Sequence, residues 1–244
     1  MAQFVKLHKF SNISVSQLWS FTVAARKMPK GFYQLNPISF VKENDGEMFI
    51  LGKDLENFSK SFSGPMSSNE VQNALIQNFF SEWLKSYESA KISLNDLNGL
   101  SFSSLSNDVL YKVYSIISTQ SSDVGRMLFF SKILEAANKD AYLKLRDLLS
   151  NKSISYEEIF SLSLNLFKDD LFEEIGKRIY KNKKETLLLS PEEFYSSLYG
   201  GVFDEQEIEE RKTNYIMVYD LEKDAPHIYS GEKARAMEAS LLKS

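Results

Sequence analysis

Asp108-Val-Leu-Tyr-Lys-Val-Tyr-Ser-Ile-Ile117, Asp140-Ala-Tyr-Leu-Lys-Leu-Arg-Asp-Leu-Leu149 and Asp170-Leu-Phe-Glu-Glu-Ile-Gly-Lys-Arg-Ile179 align on a leading aspartate, and their apolar positions coincide. Val113, Leu145 and Ile175 share one register, as do Ile117, Leu149 and Ile179. The spacing is helical, and an aspartate at each start answers free N–H groups and the helix dipole. The run from Asn107 to Lys181 is therefore read as a helical packing scaffold. Its copies lie roughly thirty residues apart, the length of a helical-hairpin repeat, with Ser122 to Ala137 and Ser155 to Phe167 as the second helices. Ordinary amphipathic helices with acidic first turns explain the same alignment and are the preferred reading.

Upstream, Ser67-Ser-Asn-Glu70 reads as a capping box opening a helix to about Lys91. Val71, Leu75, Phe79, Trp83 and Tyr87 form one stripe of that helix, with Ile76, Phe80 and Leu84 beside it. A stripe this wide belongs in a core or against a partner. Ser93 to Ser106, with turn chemistry at Asn98-Gly99, reads as a loop and as a boundary or hinge. Met127-Leu-Phe-Phe130 is apolar at consecutive positions and is expected to be buried all round. Ser155-Tyr-Glu-Glu158 offers another capping box. Ser190-Pro191-Glu192-Glu193 combines a serine cap, proline at the first helical position and a reciprocal glutamate, with Gly200-Gly201 placed to end the helix.

The outer segments carry β pattern. Phe4, Leu7 and Phe10 suggest a strand, and Ser14 or Ser16 caps a helix that stops near Met28-Pro29. Gly31 begins an extended connection. Ile38 to Glu43 and Glu47 to Gly52 flank Asn44-Asp45-Gly46, residues that tolerate positive φ, so a tight hairpin follows. A short helix over Asp54 to Ser61 is broken at Ser63-Gly64-Pro65. Asp204 to Glu210 is an acidic helix start or a solvated charge run, and Asn214 to Asp220 and His227 to Tyr229 are strands around Glu222-Lys223-Asp224. A last helix runs from Glu232 to Lys243. An isolated hairpin is marginal in water, so the two hairpins are expected to share one antiparallel sheet. The fold class is α+β, predominantly α-helical: a multi-helix core with a small antiparallel sheet contributed by the N- and C-terminal segments. A single domain over 1–244 is expected, with sub-regions 1–66, 67–200 and 201–244.

At 244 residues, with 43% apolar and 13% aromatic side chains, the chain can bury a sizeable core without staples. It has no cysteine, which removes disulfides, thiolate nucleophiles and Cys-ligated zinc, and matches a cytoplasmic, intracellular protein. The first ten residues carry no apolar leader pattern, and no window has the length of a membrane span. A net charge of -4 disfavours general binding to nucleic acid. Abundant Lys, Asn, Ile, Phe and Tyr suit an AT-rich genome, as in low-GC bacteria and viruses.

Chemistry is sparse. His8 and His227 are the two imidazoles, without ligand spacing between them, and no serine sits in a G-x-S-x-G elbow. Isolated Gly99, Gly125 and Gly176 form no phosphate loop. Glu157, Glu158, Asp169, Asp170, Glu173 and Glu174 are a possible carboxylate set but lack the Glu-x-x-His pair of a di-metal bundle. No cofactor and no metal are expected. Lys177-Arg178-Ile179-Tyr180-Lys181-Asn182-Lys183-Lys184 is the one basic cluster with an aromatic inside it. Lys177, Arg178, Tyr180, Lys181, Lys183 and Lys184 are accordingly the candidate partner or nucleic-acid contacts, against the reading of a solvated helix C-terminus. The function expected is a non-enzymatic interaction, assembly or adaptor protein acting on another protein, or on itself, through a helical surface. Trp19, Phe80, Trp83 and Tyr87 are aromatics available for that surface. The alternatives are a nucleic-acid accessory protein using residues 177–184 and a carboxylate-dependent hydrolase or nuclease.

Overall fold

Alternating burial on both terminal hairpins forces them onto a common support, and they find it in each other. A computed structural model describes residues 4–29, 33–43, 45–63 and 68–243. Strands β1 (Phe4–Phe10), β2 (Ile38–Lys42), β3 (Asp45–Leu51), β4 (Asn214–Asp220) and β5 (Ala225–Ser230) form one antiparallel sheet in the order β1-β3-β2-β4-β5. The N- and C-terminal hairpins join through β2 and β4, where Ile38 faces Val218 and Val41 faces Tyr215. Pro226, which has no N–H to give a ladder, sits on the edge strand β5.

One face of the sheet presents Leu7, Phe10, Val41, Met48, Ile50, Tyr215 and Met217 to the helical core. The opposite face gathers Ile38 and Ile216 under Ala234 of the last helix. The helices are α1 (Val15–Arg26), α2 (Gly52–Ser63), α3 (Asn69–Asn98), α4 (Asn107–Ala137), α5 (Lys139–Asn151), α6 (Tyr156–Asn165), α7 (Asp169–Arg178), the single turn α8 (Lys183–Thr186), α9 (Pro191–Leu198), α10 (Glu205–Arg211) and α11 (Gly231–Lys243). Helix α4 is the axis of the core, in contact with α1, α3, α5 and α6. Gly125 lets α1 approach it: a Cβ there would stand 3.0 Å from the Phe21 ring. The Ser20 and Ser118 hydroxyls meet at 2.9 Å in the same seam.

Several local expectations need correction. The run from Asn107 to Ala137 is one unbroken helix, so Ser122 to Ala137 is no second helix and the hairpin repeat fails at its first copy. Its aligned apolar positions are nonetheless core positions, with Leu145, Ile175, Ile117 and Leu149 buried. Helix α3 continues through Ser93 to Asn98, and Gly99 ends it; the supposed loop is reduced to a link with a 3-10 turn at Phe102–Ser104. Its cap is Ser68, whose hydroxyl accepts from the Val71 N–H, so the helix starts one residue later than the proposed box; Ser67 lies outside the described residues. Ser155 caps α6, but Glu158 does not reciprocate and reaches toward Lys91 at 3.9 Å.

In the first hairpin Lys42 pairs with Asp45 and Val41 with Gly46, so Gly46 belongs to the strand. The positive φ, 52°, falls on Glu43. The readings placed on Gly31, Asn44 and Gly64-Pro65 fall outside the described residues. The Ser190 box is as read: Ser190 Oγ accepts from the Glu193 N–H at 3.3 Å, and Glu193 accepts from the Ser190 N–H at 2.7 Å.

Candidate functional site

The start of α9 decides what its outer face displays. With Ser190 as cap and Pro191 at the first helical position, Phe194 and Leu198 turn into the core four residues apart. Tyr195 and Tyr199, one position further round the helix, are then carried outward and are 50% and 49% exposed. Tyr111 of α4 stands against Tyr195 at 4.9 Å between ring centroids, and Tyr195 against Tyr199 at 4.8 Å. Beneath them Tyr111 adjoins Tyr114 at 6.3 Å, and Tyr114 packs on Phe194 at 4.6 Å. An aromatic column thus rises from the core to the surface, anchored where the buried Tyr114 hydroxyl donates to Ser16 Oγ at 2.9 Å.

Carboxylates edge this patch. The Tyr199 hydroxyl donates to Asp108, and this bond, ahead of burial, pushes the phenol up to about 12. Burial, then the charges of Tyr195 and Glu192, also raises Tyr111. The patch thus combines three aromatic faces with the carboxyl groups of Asp108 and Glu192.

The basic cluster is partly consumed by the fold. Arg178 is a staple: it donates to Glu174 at 2.8 Å, to Asn107 at 2.8 Å and to the Phe102 carbonyl at 3.3 Å. Lys183 pairs with Asp169 at 2.7 Å, and Lys181 pairs with Glu205 while lying 5.4 Å from the centre of the Phe203 ring. The chain turns back sharply here, with Tyr180 at φ 58°. A Cβ on Gly176 would come within 2.7 Å of the Lys181 carbonyl oxygen, so glycine is what permits the turn. Lys177, Lys184 and the 96% exposed Tyr180 remain outward. Lys184 opens on a hollow of about 520 Å³ shared with Asp169, Glu185 and Lys212, where charges of both signs alternate.

The two histidines occupy opposite edges of the sheet, His8 on β1 and His227 on β5, about 19 Å apart at four strand spacings. They cannot act on one substrate atom. Among the described residues no group of three or more His, Asp or Glu side chains stands close enough to hold a metal ion. Of the six helix acids, Glu158, Asp169 and Glu174 are engaged by Lys91, Lys183 and Arg178.

His8 packs at a tilt against Phe10, at 4.7 Å between ring centroids, and against Phe160, at 5.0 Å. Burial, then the Lys132 charge, holds its imidazole below the usual histidine value. Lys132, Glu135, Tyr142, Tyr156 and Glu157 are the other titratable groups around it. Because the folded pKa lies under the unfolded value of about 6.5, the unfolded chain binds the proton first. Stability therefore falls as pH drops through 6.5 toward the folded value. His8→Gln is expected to flatten this mild-acid loss, read as the urea midpoint between pH 7 and 5. An unchanged pH profile would show that His8 does not drive it.

The aromatics first singled out for a surface are mostly core: Phe80, Trp83 and Tyr87 are buried, and Trp19 is half-buried. The tyrosine patch replaces them. Its half on α9 carries a local signal, two tyrosines four apart and each one position after a core residue; its half on α4 comes from tertiary packing. Among the described residues no helix is long and apolar enough to cross a membrane. No protein-family model matches the chain, and comparisons with curated proteins and with solved structures find no match.

Proposed function

We propose that the chain is a non-enzymatic cytoplasmic protein that binds or assembles with another protein through its helical surface. The observation that carries this reading is the outward stack of Tyr111, Tyr195 and Tyr199. Tyrosine supplies large, stiff contact area at small entropic cost and is enriched among residues that dominate interface energies. The column beneath holds the rings in place before any partner arrives, so little ordering is required on binding. Asp108 and Glu192 specify the partner's chemistry: a segment presenting arginine or lysine, whose cations lie over the phenol faces and pair with the carboxylates.

Tyr195→Ala combined with Tyr199→Ala is expected to weaken capture of such a partner at least tenfold, since loss of one strong anchor costs about 2 kcal/mol. Affinity retention from native extract, with and without the double substitution, measures this, and sedimentation reports self-association. A monomer whose captured proteins are the same with and without the two tyrosines would remove the reading.

A further inference from the structure

Helix α7 ends in a turn that usually takes glycine, and here it takes tyrosine. The Lys181 N–H donates to the Gly176 carbonyl at 2.8 Å and the Tyr180 N–H to the Lys177 carbonyl at 3.5 Å, a closure that puts residue 180 in the left-handed region, at φ 58°. A side chain with a Cβ is disfavoured there, and glycine would remove the penalty. Nothing inside the fold repays it, because the Tyr180 ring is 96% exposed. The backbone that carries the ring is nevertheless fixed. Arg178, two residues earlier, is bonded to Glu174, Asn107 and the Phe102 carbonyl, and Lys181, the next residue, is paired with Glu205. An exposed aromatic residue held in a strained, well-anchored turn fits a contact made outside the chain.

This turn stands beside the tyrosine patch. Asn107, at the start of α4, accepts from Arg178 at 2.8 Å and donates to the Leu198 carbonyl at 2.8 Å, which joins the end of α7 to the end of α9. Asp108, the next residue, holds Tyr199. Lys181 lies against the Phe203 ring and so brings Val202, itself 95% exposed, to the same corner. Of the ten exposed large hydrophobic side chains among the described residues, Tyr180, Tyr195, Tyr199 and Val202 thus gather around one helix end. Apolar surface gathered in this way marks an interaction site. Its two halves differ in charge. Asp108 and Glu192 edge the stack of Tyr111, Tyr195 and Tyr199, whereas Tyr180 stands three residues from the exposed Lys177.

We infer that the partner of the tyrosine patch is a second copy of this chain, in a two-fold dimer where Tyr180 and Lys177 of each copy dock on the Tyr195 and Tyr199 rings of the other. This rests on the patch being a docking surface. One half presents a ring with a cation, and the other offers ring faces with carboxylates. Side by side on one surface, the halves become self-complementary under a half-turn whose axis passes near Asn107. Each contact is then made twice, and the assembly closes at two copies instead of growing.

Sedimentation velocity of the full chain over a range of concentrations tests the inference, and a monomer–dimer equilibrium is expected. Tyr180→Gly relieves the left-handed turn, so the urea midpoint of the dilute monomer is expected to stay at or above that of the parent. The same substitution is expected to weaken the dimer about a hundredfold, tenfold for each of its two contacts. Tyr195→Ala combined with Tyr199→Ala is expected to weaken it at least as much. An equal mixture of the two variants regains one complete contact, the tyrosine rings of the first meeting Tyr180 of the second, and is expected to associate more strongly than either variant alone. A chain that stays monomeric up to its solubility limit overturns the inference, as does a dimer indifferent to both variants, or a mixture that associates no better than its components. A monomer that still captures an extract protein through Tyr195 and Tyr199 keeps the patch as a docking surface and excludes the second copy as its partner.

Discussion

Arg211→Met lowers the stability of the protein by about 3–5 kcal/mol, the expected result of stranding a buried carboxylate. Arg211 is only 4% exposed and holds Glu193 in a fork, Nη1 to Oε2 at 2.6 Å and Nη2 to Oε1 at 2.9 Å. It also donates to the Leu188 carbonyl at 3.0 Å. Glu193, itself 17% exposed, is the reciprocal half of the α9 capping box, so losing the arginine disturbs the start of the helix that presents Tyr195 and Tyr199. Arg211→Lys keeps a charge but loses the planar fork and is expected to recover only part of the loss. Adding Glu193→Met to Arg211→Met removes the stranded charge and restores much of the stability, because an apolar pair often replaces a buried ion pair at little cost. Urea unfolding of the parent, Arg211→Met, Glu193→Met and the double variant gives the cycle. A single-mutant loss below about 1 kcal/mol would mean the site is wetter than its burial implies.

Trp83→Ala is expected to cost about 3–5 kcal/mol through the cavity it leaves. The indole is fully buried, lies between Phe80 at 5.8 Å and Tyr87 at 5.1 Å, and donates to the Val124 carbonyl at 2.9 Å. That carbonyl precedes Gly125, where α1 presses on the other side of α4 through Phe21. One side chain therefore registers α3 against the α1–α4 seam. Trp83→Phe retains most of the apolar contact but not the bond, and is expected to lose roughly a third as much. Equal losses for the two substitutions would assign the effect to the hydrogen bond rather than to packing.

What the sequence disclosed follows from range. Strand alternation and the Ser190 box act over a few residues, and both are realised as read. The sharing of one sheet by both hairpins was also legible, because neither hairpin can cover its apolar face alone. The breaks expected inside α4 and at the end of α3 failed for a physical reason. Ser118, Ser121 and Ser122 resemble linker residues, but in α4 two of them are buried, and Ser118 meets Ser20 at close range, where small side chains allow helices to approach. Arg178 looked like a free cation because its three partners, Glu174, Asn107 and Phe102, include two supplied by distant sequence. The register slip of β1 against β3 between Lys6 and His8 is likewise an irregularity that no local pattern announces.

The junction of β2 with β4 has a consequence for how the protein is made. Ile38, already paired with Phe49 of β3, acquires its β4 partner only when Val218 has been synthesised, so the first hairpin leaves the ribosome on the order of ten to forty seconds before its neighbour, at roughly 5–20 residues per second. During that interval the β2 edge is an open template for pairing with another nascent chain. Helix α2, complete directly after β3, supplies the earliest cover for the waiting sheet through its contacts with β1 and β3, and α4, also complete well before β4, adds to it at β1. Nascent chains halted before residue 214 are thus expected to hold their helices while the sheet remains open on one side, a state that invites chaperones.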